Sequence, residues 1–262
     1  MTHPAVVLAL GGLDPLGQAG LAADLRAGAA LGVLVAPVAA ALTVQDSGGA
    51  RRVQGVDPSL LTEQLLAALR SLPVGAFKVG LLGGAPQAQT LAAVLESVPG
   101  LPVVLDPVLS ATPGGSLAAA DFLPVLRQTL LAKVTVLTPN LPEAEALLGA
   151  PLGPGTEGMV EAAQALRKLG PKAVLLKGGH LQGPYSSDYL CDEYGGMWLE
   201  APRQPTPNTR GTGCTLATLL AALLAQGQPL RAAAIGAKEA LGHLLRKGGA
   251  THWPSGSGPV GV

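Results

Sequence analysis

The chain has 262 residues, 48% hydrophobic and 13% charged, with 17 Lys+Arg against 17 Asp+Glu. So apolar a sequence is not a disordered segment, and without net charge or a basic run it lacks the field that gathers nucleic acid or anionic lipid. Its length fits one compact domain over 1–262.

The N-terminal stretch MTHPAVVLALGG has neither the basic start nor the small-residue cleavage site of a secretory leader. No segment reaches the roughly 20 uninterrupted apolar residues of a membrane span, so the expected address is cytoplasmic. Apolar runs at 5–12, 33–42, 76–84, 101–108, 133–140 and 172–180 read as buried strands, several ending in Gly, Pro, Asp or Asn. Residues 58–71, 86–98, 116–131, 141–148 and 157–169 read as helices, with start signals at Asp57-Pro58 and Thr156-Glu157. This alternation predicts βαβ units: an α/β fold with a mostly parallel central sheet and helices on both faces. The pattern breaks at SSDYLCD and GGMWLEA, where the Gly195-Gly196 pair marks a β-hairpin. Two long helices, about 214–226 and 229–247, close the chain, and the tail PSGSGPVGV reads as a loosely held surface segment.

Open α/β sheets bind ligands beyond the carboxyl ends of their strands, so the chemistry belongs in the loops that follow them. Those loops carry Asp14, Asp24, Gln45, Asp46, Asp106, Asn140, Glu143, Lys177 and the run Gly211 to Cys214. Singly, each has a dull explanation as a cap or a turn. The two cysteines and four histidines have no metal-ligand spacing, and Cys191 reads as a small buried hydrophobe. In GTGC, the glycines at 211 and 213 free backbone N–H groups to converge, and the helix that follows adds its positive end, which makes an anion hole. A G-T-G turn before a helix is weak evidence alone, being more often only a tight turn. Neither a Walker loop nor the G-x-G-x-x-G fingerprint occurs.

Taken together and in order, ALGGLDPLGQAGLAADL, KVGLLGG, VVLDPV, LTPNLPEAEALLG, AVLLKGGH and NTRGTGCTLA resemble the hydroxymethylpyrimidine kinase/phosphomethylpyrimidine kinase family of thiamin biosynthesis, over about residues 5 to 245. The resemblance implies a ribokinase-like three-layer sandwich and two successive phosphoryl transfers from ATP with Mg²⁺. The first goes to the hydroxymethyl group of 4-amino-5-hydroxymethyl-2-methylpyrimidine, the second to the monophosphate so formed. It also implies a homodimer. Cys214, Gly213, Gly211 and Lys177 would be catalytic, Cys214 standing where most sugar kinases of this fold carry an aspartate base. Substrate contacts would come from Gln45, Asp24, Gly12, Ala19, Val44, Leu81 and Val108, nucleotide contacts from Asn140, Lys177, Thr212 and Gly213, and the magnesium site from Asp106 and Glu143. A thiol at a helix N-terminus has a lowered pKa, so a useful thiolate fraction is expected at Cys214.

Three residues of the first loop depart from the family pattern: Leu13, Leu16 and Gln18 stand where it usually has Ser/Thr, Ser and Gly, and this makes the loop bulkier. Arg210 replaces the usual histidine before GTGC, and the C-terminal SGSGPV lacks its usual histidine. Two other readings stay open at this point: a pyridoxal/pyridoxine kinase of the same fold, and a non-catalytic vitamer- or nucleotide-binding protein.

Overall fold

The computed structural model describes residues 4–46, 48–109, 121–179, 183–249, 251–253 and 256–262. Its elements run β1 (Val6–Leu13), α1 (Gly20–Ala30), β2 (Leu34–Asp46), β3 (Gly49–Gly55), α2 (Pro58–Ser71), β4 (Val74–Val79), α3 (Ala85–Glu96) and β5 (Val103–Leu105). A helical segment follows, α4 (Phe122–Val125), continued by a π turn to Leu130 and a tighter turn to Lys133. Then come β6 (Val136–Leu137), α5 (Leu141–Leu148), α6 (Gly155–Lys168), β7 (Ala173–Leu176), β8 (Tyr185–Asp192), β9 (Gly195–Pro202), α7 (Thr212–Ala225) and α8 (Leu230–Gly248). The first part of the helix expected over 116–131 lies outside the described residues.

The nine strands among the described residues form one sheet in the order β3-β2-β1-β4-β5-β6-β7-β8-β9. From β2 to β7 neighbouring strands are parallel, and β3, β8 and β9 are antiparallel additions at the edges. Strand periodicity sorts the core into two layers. In β1, Leu8 and Leu10 face α2 to α6 with Leu61, Leu91 and Leu166, whereas Val7 and Ala9 face α1, α7 and α8 with Leu219 and Ala237. The apolar run of α7 is buried continuously from Thr215 to Leu223, because this helix lies against the sheet with α1 and α8 beside it.

β3 was not foreseen. Its sequence GARRVQG is polar and half exposed, and antiparallel backbone pairing with β2 holds it in place. The hairpin at Gly195-Gly196 is as expected, and Cys191 is buried at 5% exposure opposite Val174 and Gly196. The tail is a correction. Val260 is buried in the core, Arg210 pairs with Pro259, and the Asn208 amide donates to the carbonyls of Gly248 and Thr251 and accepts from the Gly258 N–H. That side chain ties the end of the chain to the loop before α7, a contact 50 residues apart in sequence. No helix among the described residues is long and apolar enough to cross a membrane.

Candidate active site

The carboxyl ends of the parallel strands open into a cavity of about 280 Å³. At its centre Asp106 directly follows β5 and Lys177 directly follows β7, the Lys177 Nζ lying 2.6 Å from Asp106 Oδ1 and 3.9 Å from Glu143 Oε2. Asn140 and Glu143 form a capping box: the Glu143 N–H donates to Asn140 Oδ1, and the Asn140 N–H donates to Glu143 Oε2, both at 2.8 Å. The box fixes Glu143 at the first turn of α5, beside the ammonium. Loss of solvent pushes its carboxyl up to about 7, with the Asp106 charge adding to the shift and Lys177 and the Asn140 N–H opposing it. Burial alone would depress Lys177, but the charges of Asp106 and Glu143 and the Asp106 hydrogen bond outweigh it and raise its pKa, so the ammonium stays charged.

The N-terminus of α7 points at this cluster. Gly211 is its N-cap with φ +79°, and a Cβ there would stand 2.6 Å from the Gln18 carbonyl oxygen, so the residue must be glycine on both counts. At Gly213 a Cβ would lie 3.2 Å from Lys177 Nζ and 3.4 Å from Asp106 Oδ2, and glycine thus leaves the helix end open to the charged pair.

Cys214 lines the cavity at the start of α7, and the Gly20 backbone N–H at the start of α1 favours its charged form. The expected thiolate is nonetheless a correction. Loss of solvent raises its pKa to about 11; Asp24 and Asp106 add to the rise, and Lys78 and the Gly20 N–H offset it only in part. Near neutrality Cys214 is therefore a thiol that can donate a hydrogen bond. Alkylation of Cys214 by iodoacetamide, followed by peptide mass spectrometry, should run at least about tenfold slower at pH 7.5 than that of a free cysteine. The rate should keep climbing to about pH 11. A plateau below pH 9 would restore the thiolate.

At the other end of the cavity lie Gly12, Ala19, Gln45, Leu81 and Val108, all expected there from the sequence. Two expected residues are absent from this wall. Val44 is 58% exposed, and its strand neighbours Thr43 and Gln45 line the cavity, as the alternation of side chains along β2 requires. Asp24 on α1 is fully buried, and both of its oxygens are engaged by Lys78 Nζ (2.8 and 2.9 Å) and by Thr218 Oγ1 (2.7 Å). Lys78, a charge inside the apolar strand AFKVG, was overlooked although that placement was the signal; it is fully buried and lines the cavity floor. Burial opposes its charge, but Asp24, Cys214 and Asp106 raise its pKa well above the usual value, so it stays an ammonium.

Beyond Lys177, a second cavity passes between the β8–β9 hairpin and α8, and a third joins it to the first through Asn140, Lys177 and Gly213. Thr212 lines these two rather than the first. Lys238 of α8, also missed in the sequence, lines both, its Nζ 2.6 Å from Asp188 Oδ2 and 3.1 Å from Ser186 Oγ. The other Asp188 oxygen accepts from the Gly178 N–H at 2.9 Å, which holds the chain beside Lys177.

The family model for phosphomethylpyrimidine kinase matches residues 14–261. The hydroxymethylpyrimidine/phosphomethylpyrimidine kinase of Rhizobium meliloti is 36% identical over 98% of this chain and 96% of its own length. A thiamine biosynthesis bifunctional protein of Geobacter sulfurreducens is 40% identical over 97% of the chain, which spans 51% of that longer protein. Among solved structures, Bacillus subtilis pyridoxal kinase in its ADP complex superposes with a TM-score of 0.88 at 27% identity, covering 98% of this chain and 97% of that one. The ribokinase-like expectation for the fold thus holds, and the chain belongs to the phosphomethylpyrimidine kinase family.

Proposed function

We propose that the chain transfers phosphate from ATP to the hydroxymethyl group of 4-amino-5-hydroxymethyl-2-methylpyrimidine, and then to the resulting monophosphate. The observation that carries this is the continuity of the three cavities, which runs from Gln45 past Cys214, Gly213 and Lys177 to Lys238. A small heteroaromatic acceptor fits the first cavity, and a nucleotide fits the trench beyond, its terminal phosphate meeting the α7 N-terminus. Phosphoryl transfer through a loose transition state relies on positioning and charge neutralisation, and these groups supply both. The Gly213 and Cys214 N–H groups and Lys177 hold the transferring phosphate, while the Cys214 thiol orients the acceptor oxygen.

A magnesium ion fits the oxygens of Asp106 and Glu143, because Mg²⁺ takes one or two carboxylates and completes its shell with water and phosphate. Among the described residues no three or more His, Cys, Asp or Glu side chains are grouped so that they could hold a metal ion, so the phosphates and water would have to supply the rest. Held by Asp106 and Glu143, the ion would supply positive charge that offsets the negative charge of the transferring phosphate. We place the enzyme in the cytoplasm as a homodimer, with the exposed Leu13, Leu42 and Val44 beside the cavity mouth covered by a second copy. Light scattering on wild type and on Leu42→Glu/Val44→Glu tests that assembly.

The likeness to pyridoxal kinase favours one second reading, a preference for pyridoxal or pyridoxine. Incubation with ATP, Mg²⁺ and each acceptor, followed by mass detection of mono- and diphosphate, decides between them. Pyrimidine diphosphate is expected as the main product, and phosphorylation of the pyridine alone would reverse the assignment. In the same assay Gln45→Leu should raise the pyrimidine KM by about 2- to 12-fold, the value of one hydrogen bond, and leave that of ATP unchanged.

A further inference from the structure

Another cavity, of about 310 Å³, shares no lining residue with the three already described and lies between α1, α7, α8 and the C-terminal tail. Its charged lining is wholly basic. Arg26 of α1 and Lys247 of α8 stand there beside Ala27, Leu244 and Val260, with Thr215 from the first turn of α7 and no acidic side chain. Arg26 is partly buried, yet it forms no ion pair among the described residues. Its Nη1 donates to the Gly17 carbonyl at 2.6 Å, its Nη2 reaches the Gln18 carbonyl only at 3.5 Å, and its Nε has no partner. A guanidinium carries five N–H donors and a permanent charge. Burial works against that charge, and Asp14 and Asp24 favour it only from a distance, the one engaged by three backbone N–H groups and the other by Lys78. Two neutral carbonyls leave the cation short of a counter-charge.

Arg26 also reaches the acceptor end of the active site. The two carbonyls it holds belong to the loop that brings Gln18, Ala19 and Gly20 to the first cavity. The Gln18 carbonyl in turn lies against Gly211 at the opening of α7.

We infer that this cavity is a regulatory site for an organic phosphate, its phosphate group taken by Arg26 and Lys247 and its apolar body by Ala27, Leu244 and Val260. Hydrogen bonds from a guanidinium to an ionised phosphate are stronger than those to a neutral carbonyl, so the ligand draws Arg26 away from Gly17 and Gln18 and loosens the loop. Acceptor binding then weakens. Nucleotide binding does not, because the loop lines neither the second nor the third cavity. The regulatory effect rests on the kinase activity proposed above, and the binding site does not.

Isothermal titration with phenyl phosphate tests the site, with a non-hydrolysable ATP analogue, Mg²⁺ and 4-amino-5-hydroxymethyl-2-methylpyrimidine present to fill the active site. Wild type should bind the probe. Lys247→Glu, changed at an exposed residue outside the active site, should bind it at least about tenfold more weakly. Inorganic phosphate, which lacks the apolar body, should bind wild type about fivefold or more weakly than phenyl phosphate. In steady-state assays phenyl phosphate should raise the acceptor KM of wild type by about threefold or more and leave its ATP KM within about twofold. Lys247→Glu should match wild type without the probe and show no such rise with it. No binding by wild type, or equal binding by the two proteins, overturns the site, and inorganic phosphate binding as tightly as phenyl phosphate overturns the organic ligand. An acceptor KM unmoved in wild type, or raised equally in both proteins, overturns the regulation. Absence of any ATP-dependent product overturns the kinase reading instead, and the titration still decides the site.

Discussion

Replacing Lys177 with methionine is expected to lower kcat for phosphoryl transfer by about 10²–10³-fold, the usual cost of removing one preorganised charge or donor from a transition state that develops negative charge. Lys177 is the ammonium nearest the open end of α7, 2.6 Å from Asp106, and its charge is maintained by two carboxylates. Methionine keeps the stem and its packing but leaves Asp106 and Glu143 facing the phosphate path, so their repulsion adds to the loss. Glu143, whose carboxyl sits up at about 7, relieves part of the strain on the fold by taking a proton, and the variant should remain folded. Arginine at the same place restores charge but brings a planar fork where a compact ammonium fits, and should recover only part of the rate. Steady-state assays with ATP varied at saturating acceptor, beside melting curves, measure both quantities. Activity of Lys177→Met within fivefold of wild type would remove Lys177 from the phosphate path.

Lys78→Met should have the largest effect on stability. Lys78 and Asp24 are both fully buried, and the pair is closed by Thr218. Removing one partner of a buried ion pair strands the other charge at a cost of about 3–5 kcal/mol. For a domain of this size that lowers Tm by roughly 10–15 °C. Asp24→Asn alone should also destabilise, because the ammonium loses its counter-charge. The double variant Lys78→Met/Asp24→Asn should recover much of the loss, since a neutral pair needs no compensation. Scanning calorimetry of the three proteins closes the cycle. Additive losses in the double variant would show that the two residues act independently, Asp24 then being free for the ligand contact that the family resemblance implies.

The comparison of Asp24 with Gln45 shows how much of the site was legible beforehand. Both were expected to meet the ring. Gln45 lines the cavity, and Asp24 instead anchors a lysine 54 residues further along the chain. A carboxylate that accepts from a ligand and one that accepts from a buried ammonium look alike in sequence.

What the sequence determined by itself is what short-range physics controls. Short continuous apolar runs ending in polar residues marked the parallel strands and the rim that carries Asp106, Asn140 and Lys177. Glycine punctuation marked the β8–β9 hairpin and the opening of α7. The capping pattern of Asn140 and Glu143 is equally local, since both partners lie within one helical turn. Tertiary structure alone decided the rest, each time because the deciding partner is remote. β3 exists through backbone pairing to β2, which leaves no mark on side-chain pattern. Thr43 rather than Val44 faces the cavity because of how the β2 pleat sits beside the first loop, where Thr43 donates to the Leu13 carbonyl. The Cys214 thiol, at a helix end that locally favours a thiolate, is held protonated by desolvation among α1, β4 and β5. Desolvation and charge pairing depend on distances across the fold, and these are fixed only when the sheet and its two helical layers close.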